Sequence, residues 1–175
     1  MVRTPGIADA IRAVAPAFEV EEVDVTGPPT STAPRAAGWA EAAALLTSLG
    51  PRDEIVAPNG ALATAEVTDD GVHVRVRCGD PLDQVVLRSY CIGAAHMALG
   101  WVRSEGLAVG GDGAPLDLTI RSFGILRAVD MPSVVVEIEP DDGSPVNGSD
   151  AVFAAVAAAA WRHHGHPEAG PADRR

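Results

Sequence analysis

The sequence predicts an α+β fold, a two-layer domain in which a mixed sheet of about six strands packs with three or four helices. Three observations carry this. Two alternating runs, ALATAEV and VHVRVRC, flank Asp70-Gly71, a pair that tolerates the backbone of a tight hairpin turn. Residues 36–49 and the stretch from Ser89 onward repeat apolar side chains at helical spacing. A Val- and Ile-rich run at 133–139 then precedes a last apolar segment at 152–161 that is too long and too alanine-rich for a strand.

Taken in order, Ile7, Ile11 and Val14 fall on one face of a short helix that Pro16 ends. Phe18, Val20, Val23 and Val25 alternate among acidic residues, which predicts a half-exposed strand with a bulge near Glu22. Residues 30–34 read as a loop. The next helix, 36–49, presents Trp39, Ala43, Leu46 and Leu49 on one side and stops at Gly50-Pro51. After a loop at 51–60 comes the hairpin, with Val72, Val74, Val76 and Cys78 on one face and His73, Arg75 and Arg77 on the other.

The helix from Ser89 places Ile92, Ala95, Leu99 and Val102 together, and Gly93 and Gly100, two turns apart, leave room for another backbone. His96 reads as a packed or surface residue. Residues 107–109 and 116–120, joined by Gly110-Gly111-Asp112-Gly113, predict a second hairpin; an irregular crossover leads to the strand at 133–139 and the final helix. Ser149 or Asp150 is expected to cap that helix. The domain is expected to span 1–165, with a flexible tail over 166–175 that follows the histidines at 163, 164 and 166.

Composition narrows the function. With 175 residues, 47% hydrophobic and 21% charged, the chain is long enough to bury one core. Its net charge is −11 and its 13 basic residues are scattered arginines, so a nucleic-acid partner and an anionic membrane surface are not expected. The N-terminal residues lack the apolar stretch of a secretory signal, and no uncharged apolar run near the C-terminus is long enough to cross a bilayer, so a cytoplasmic protein is expected. Cys78 and Cys91 read as buried free thiols.

The phosphate-loop, dinucleotide and zinc-protease motifs are absent, as is the nucleophile elbow that would activate Ser149. No metal site is expected, since the tail histidines have no carboxylate or cysteine set in a closed geometry around them.

The run from Cys91 to Glu139 resembles the C-terminal part of the molybdopterin-binding subunit of the xanthine dehydrogenase and aldehyde oxidase family, the molybdenum hydroxylases. The residues that carry the resemblance are Gly93-Ala94, Ala98-Leu99-Gly100-Trp101, Glu105 and Asp130-Met131-Pro132, followed by the hydrophobic strand. The resemblance is strongest over 60–161 and covers only a small part of that subunit. It implies a molybdopterin cofactor at Gly93, Ala94, Met97, Gly148 and Ser149.

The departures bear on activity. In the family a glutamate just before the last helix is the general base that activates a molybdenum-bound hydroxyl. Here Ser149 stands at that place, and a hydroxyl is not ionised at neutral pH. Asp150 is one residue out of register. Two family glutamines fall near Tyr90 and at Met97, which offer no amide. The resemblance therefore implies a chain with no catalytic residue of its own, an accessory partner of a larger molybdenum hydroxylase subunit or a homo-oligomer. Its rivals are a chain that contributes one wall of an active site to such a partner, and a free-standing module that binds a small metabolite in the vacated crevice near Gly93, Gly148 and Ser149.

Overall fold

The computed structural model describes residues 7–14, 16–17, 19–23, 32–50, 53–117 and 119–166. Its elements are α1 (Ile7–Val14), α2 (Thr32–Leu49), β1 (Ile55–Val56), β2 (Leu62–Thr68), β3 (Gly71–Arg77), α3 (Gln84–Arg103), a 3-10 turn (Ala128–Asp130), β4 (Val134–Ile138) and α4 (Ser149–His163). The class is α+β with a mixed sheet, as expected, but the described residues form four strands, in the order β1-β2-β3-β4. β1, β2 and β3 run antiparallel to one another, and β4 joins β3 in parallel after the crossover through α3.

The missing strands have local causes. Among the described residues of 107–120 a single bridge, Val109 to Pro115, is all that pairs. Asp117 Oδ1 accepts the Thr119 N–H at 2.7 Å, which turns the chain away beyond the bridge. Of the strand expected at 18–25, residues 19–23 are described and only Val23 makes a bridge; the rest lies outside the described residues. β1, in contrast, was hidden inside the expected loop at 51–60, because two residues are too few to show a period.

The hairpin forms with its expected faces. Val72, Val74, Val76 and Cys78 are buried. The turn itself is Asp69-Asp70, one residue earlier than expected, because Thr68 pairs with Gly71. Gly71 is needed for space: a Cβ there would lie 2.5 Å from the Ser133 carbonyl, where β4 approaches β3.

α2 begins at Thr32, ahead of the expected Ala36; Pro34 is tolerated because the first-turn N–H groups have no partner within the helix. α3 begins five residues before Ser89. Asp83 caps it, accepting the N–H groups of Val85 at 2.7 Å and Val86 at 3.1 Å. That first turn faces solvent, so it adds nothing to the apolar period that marked the rest. The buried face runs through Leu87, Cys91, Ala94, Ala95, Ala98, Leu99 and Val102, and Ile92 lies off it.

α4 is the centre of the core. Residues Ala151, Val152 and 154–160 are all buried, and the helix packs against α2, α3 and the sheet. Alanine on every side is what lets three layers approach one helix this closely. Trp101 of α3 clamps the flank, its ring 5.9 Å from Phe153 and 6.0 Å from Trp161. The helix runs on to His163, and His166 Nε2 reaches the Ser48 carbonyl at 2.8 Å, so the ordered chain continues past the expected end of the helix. Residues 167–175 lie outside the described residues.

α3 has the length and apolar composition of a membrane span, with a mean hydropathy of 1.3, and 44% of that stretch is buried inside the fold.

Candidate functional site

The turn at 146–150 is held by hydrogen bonds from two neighbouring pieces of chain. The Val146 N–H donates to the Cys78 carbonyl at 2.9 Å, which ties the turn to the end of β3. Asn59 Nδ2 donates to the Asn147 carbonyl at 2.7 Å from the loop between β1 and β2. Just upstream, the Asp141 carboxylate accepts the N–H groups of Gly79 at 3.0 Å and Gly143 at 2.9 Å. Those two bonds hold the Asp141 carboxyl below the usual carboxylate range, the Gly143 bond most.

α4 then starts at Ser149, and its cap differs from the expectation. Gly148 takes the cap position without a side-chain bond, and neither Ser149 nor Asp150 supplies the acceptor. Asn147 Oδ1 accepts the Ser149 N–H at 2.9 Å instead, because Ser149 is already the first helical residue. Gly148 is buried under β3, where a Cβ would come within 3.0 Å of Val76 Cγ2 and 3.6 Å of Cys78 Sγ. Asp150 places its negative charge in the first turn, where the helix dipole favours it.

On α3 the three candidate positions part company. Ala94 faces the core, whereas Gly93 and Met97, one turn apart, face solvent, Met97 with 56% of its surface exposed. A Cβ at Gly93 would meet nothing within 4 Å. Gly100 is buried, but what fills its space is the Glu105 side chain, whose Oε1 would lie 2.5 Å from a Cβ there. The shared approach of a second backbone expected at the two glycines is therefore not made among the described residues. Burial raises the Glu105 carboxyl, and the nearby charge of His96 partly opposes it. His96 itself is packed, with Nε2 2.7 Å from the Leu126 carbonyl.

The cysteines behave as expected. Both are free and buried; burial first, then the neighbouring Cys78, pushes the Cys91 thiol up to about 11, and burial also raises Cys78. Neither is a thiolate nucleophile at neutral pH.

Among the described residues, no three His, Cys, Asp or Glu side chains gather as a metal site. A groove of about 690 Å³ lies elsewhere, along the outer edge of β2, and none of the five candidate positions lines it. Sequence reasoning missed Asn59, Asn147 and Asp141. Asn147 before Gly148-Ser149 was the available signal, since asparagine side chains readily accept the N–H two residues on.

No family model matches the chain, and no curated protein matches it by sequence. Solved structures do match in fold. A reconstituted CO dehydrogenase from Oligotropha carboxidovorans aligns with a TM-score of 0.51 and 9% identity, over 60% of this chain and 15% of that one. A Cu,Mo-CO dehydrogenase in its carbon monoxide reduced state aligns with a TM-score of 0.51 and 11% identity, over 64% of this chain and 17% of that one. In fold, the chain resembles a part of each of these two CO dehydrogenase chains. Quinoline 2-oxidoreductase from Pseudomonas putida 86 is also similar, at 17% identity over 61% of this chain and 16% of that one, with a TM-score of 0.45. The chain thus spans about a sixth of the length of the solved chains it matches.

The candidate positions do not fit a pterin cofactor. Ala94 and Met97 carry no hydrogen-bonding group, the Ser149 N–H is taken by Asn147, and Gly148 is closed over by β3.

Proposed function

We propose that this chain is a non-catalytic accessory partner of a larger molybdenum hydroxylase subunit in the cytoplasm, and that it does not itself hold molybdopterin. It supplies packing surface and no reacting group. Where a base would be needed, Ser149 offers a hydroxyl and its own N–H is engaged by Asn147.

The observation that carries the proposal is the outward side of α3. Val86, Tyr90, Gly93 and Met97 follow one another at helical spacing along it, with Val85 beside them. Val85 is 78% exposed and Tyr90 62%. A contiguous apolar helix face of this kind marks a surface that another protein covers, and the matched structures carry this fold within much longer chains.

The test is purification of the tagged chain from its own host, with partners identified by mass spectrometry and molybdenum measured in the complex. The expected result is a larger molybdenum-containing subunit in stoichiometric amount, lost when Tyr90→Lys and Met97→Lys are combined. A monomeric chain with no molybdenum protein attached, or a complex indifferent to the double substitution, overturns the proposal.

A further inference from the structure

The sheet has two edges, and they are finished differently. At β4 the Val72 N–H bonds the Ser133 carbonyl and the Glu139 N–H bonds the Val76 carbonyl, so the backbone of Val136 points outward. Arg88 of α3 donates Nη1 to the Val136 carbonyl and closes the middle of that edge. At the other edge β1 pairs only with Leu62 and Ala63 of β2. The Ala57 N–H bonds the Ala61 carbonyl, and alternation then directs the backbone groups of Ala61, Ala63, Ala65 and Val67 toward the same side. Among the described residues, Ala65 and Val67 have no strand partner there. A groove of about 690 Å³ follows this stretch, with Ala159, Arg162 and His163 of α4 along it.

An open strand edge is a template for a strand of another chain. The registers in which β2 can meet a second β2, antiparallel about a twofold axis, are few. Centring the pair on Ala65 sets Val67 against Ala63, and centring it on Glu66 sets Asp69 against Ala63; Ala63 is already held by Ile55 of β1. The Glu66 register also places two glutamates directly opposite each other, which is unfavourable. Centring on Thr68 leaves Val67 alone at the edge, opposite a turn residue. Centring on Val67 avoids all of this. Val67 then faces Val67, Glu66 faces Thr68, and Ala65 faces Asp69, clear of the residues that β1 covers.

We propose that this edge is a self-association site, at which β2 of a second copy of the chain pairs antiparallel about Val67 and joins the two four-stranded sheets into one. The occupant is the chain itself because the edge is complementary to itself. Its outward backbone groups repeat under the twofold axis, and the half-buried Val67 meets another β-branched side chain. Glu66, the charged side chain of residues 65–68, meets a hydroxyl instead of a like charge. Two nearby carboxylates already have basic partners, Asp69 with His163 at 3.2 Å and Asp53 with Arg162 at 2.8 Å. α3 packs against β4, at the far side of the sheet, so this pairing leaves Tyr90 and Met97 uncovered.

Light scattering and hydrogen exchange at the Val67 amide, across a range of protein concentration, test this in the full chain. The expected result is a dimer at high concentration, with that amide protected roughly tenfold more than in dilute protein. Thr68 is exposed, so its side chain can be changed without disturbing the core. Thr68→Glu sets two glutamate pairs across the axis and should weaken the dimer roughly tenfold, whereas Thr68→Lys sets two opposite-charge pairs there and should tighten it. A protein that is monomeric throughout, protection that does not depend on concentration, or a dimer that Thr68→Glu fails to weaken or Thr68→Lys fails to tighten overturns the proposal. The Tyr90 and Met97 substitutions should leave the dimer intact, so its failure and that of the accessory-partner proposal are separable.

Discussion

α3 and α4 are both long, apolar and rich in small residues, yet the fold uses them in opposite ways. α4 is enclosed by α2, α3 and β2, with Ala151, Val152 and 154–160 all buried. α3 is covered on one side and shows Val85, Val86, Tyr90 and Met97 to solvent on the other. Similar composition thus hides two roles. One helix organises this chain's own core, and the other has a second face that the chain does not cover.

Substitutions should separate the roles. Ala157→Leu on α4 forces extra volume into a closed site and is expected to destabilise by about 1–3 kcal/mol or more, read by denaturant unfolding. Asp83→Ala removes the cap of α3 and should cost about 1 kcal/mol in the same measurement. Tyr90→Lys combined with Met97→Lys, on the open face, should stay within about 0.5 kcal/mol of the parent while breaking the assembly. If the pair of lysines instead unfolds the protein, α3 is a core helix like α4 and the contrast fails.

A smaller, pH-dependent effect is expected at the end of α3. Burial raises the Glu105 carboxyl above its unfolded value, so the folded state favours the protonated form. The stability it contributes is present at low pH and is lost as pH rises through the unfolded and then the folded value. Glu105→Gln should therefore raise the melting temperature at neutral pH, with the gain fading in acid. Asp141 has the opposite sign, since its lowered carboxyl stabilises above its unfolded value and the contribution is lost as pH falls.

The contrast between the helices also explains what could be read from sequence. The β2–β3 hairpin was legible because its buried residues alternate strictly, and the core of α3 because Leu99 and Val102 keep the helical period. The first turn of α3 was not, since exposed Val85 and Val86 mimic a strand and only the Asp83 cap marks a helix. Leu107, Val109, Leu116 and Ile120 looked like strands because they are apolar, but all four are exposed and the pairing there stops at the bridge between Val109 and Pro115. At the turn, the serine in place of a glutamate was visible. The capping by Asn147 and the clasp from Asn59 depend on contacts between distant segments, and no local pattern records them.

The parallel pairing of β3 with β4 sets the order in which the molecule can assemble. The hairpin closes locally through two residues, whereas β4 cannot pair until the whole crossover from Arg77 to Val134 has been gathered in. Loop closure of that length is slow relative to a hairpin. β4 should dock late, after the barrier to folding, so that weakening its contacts speeds unfolding and leaves the folding rate nearly unchanged.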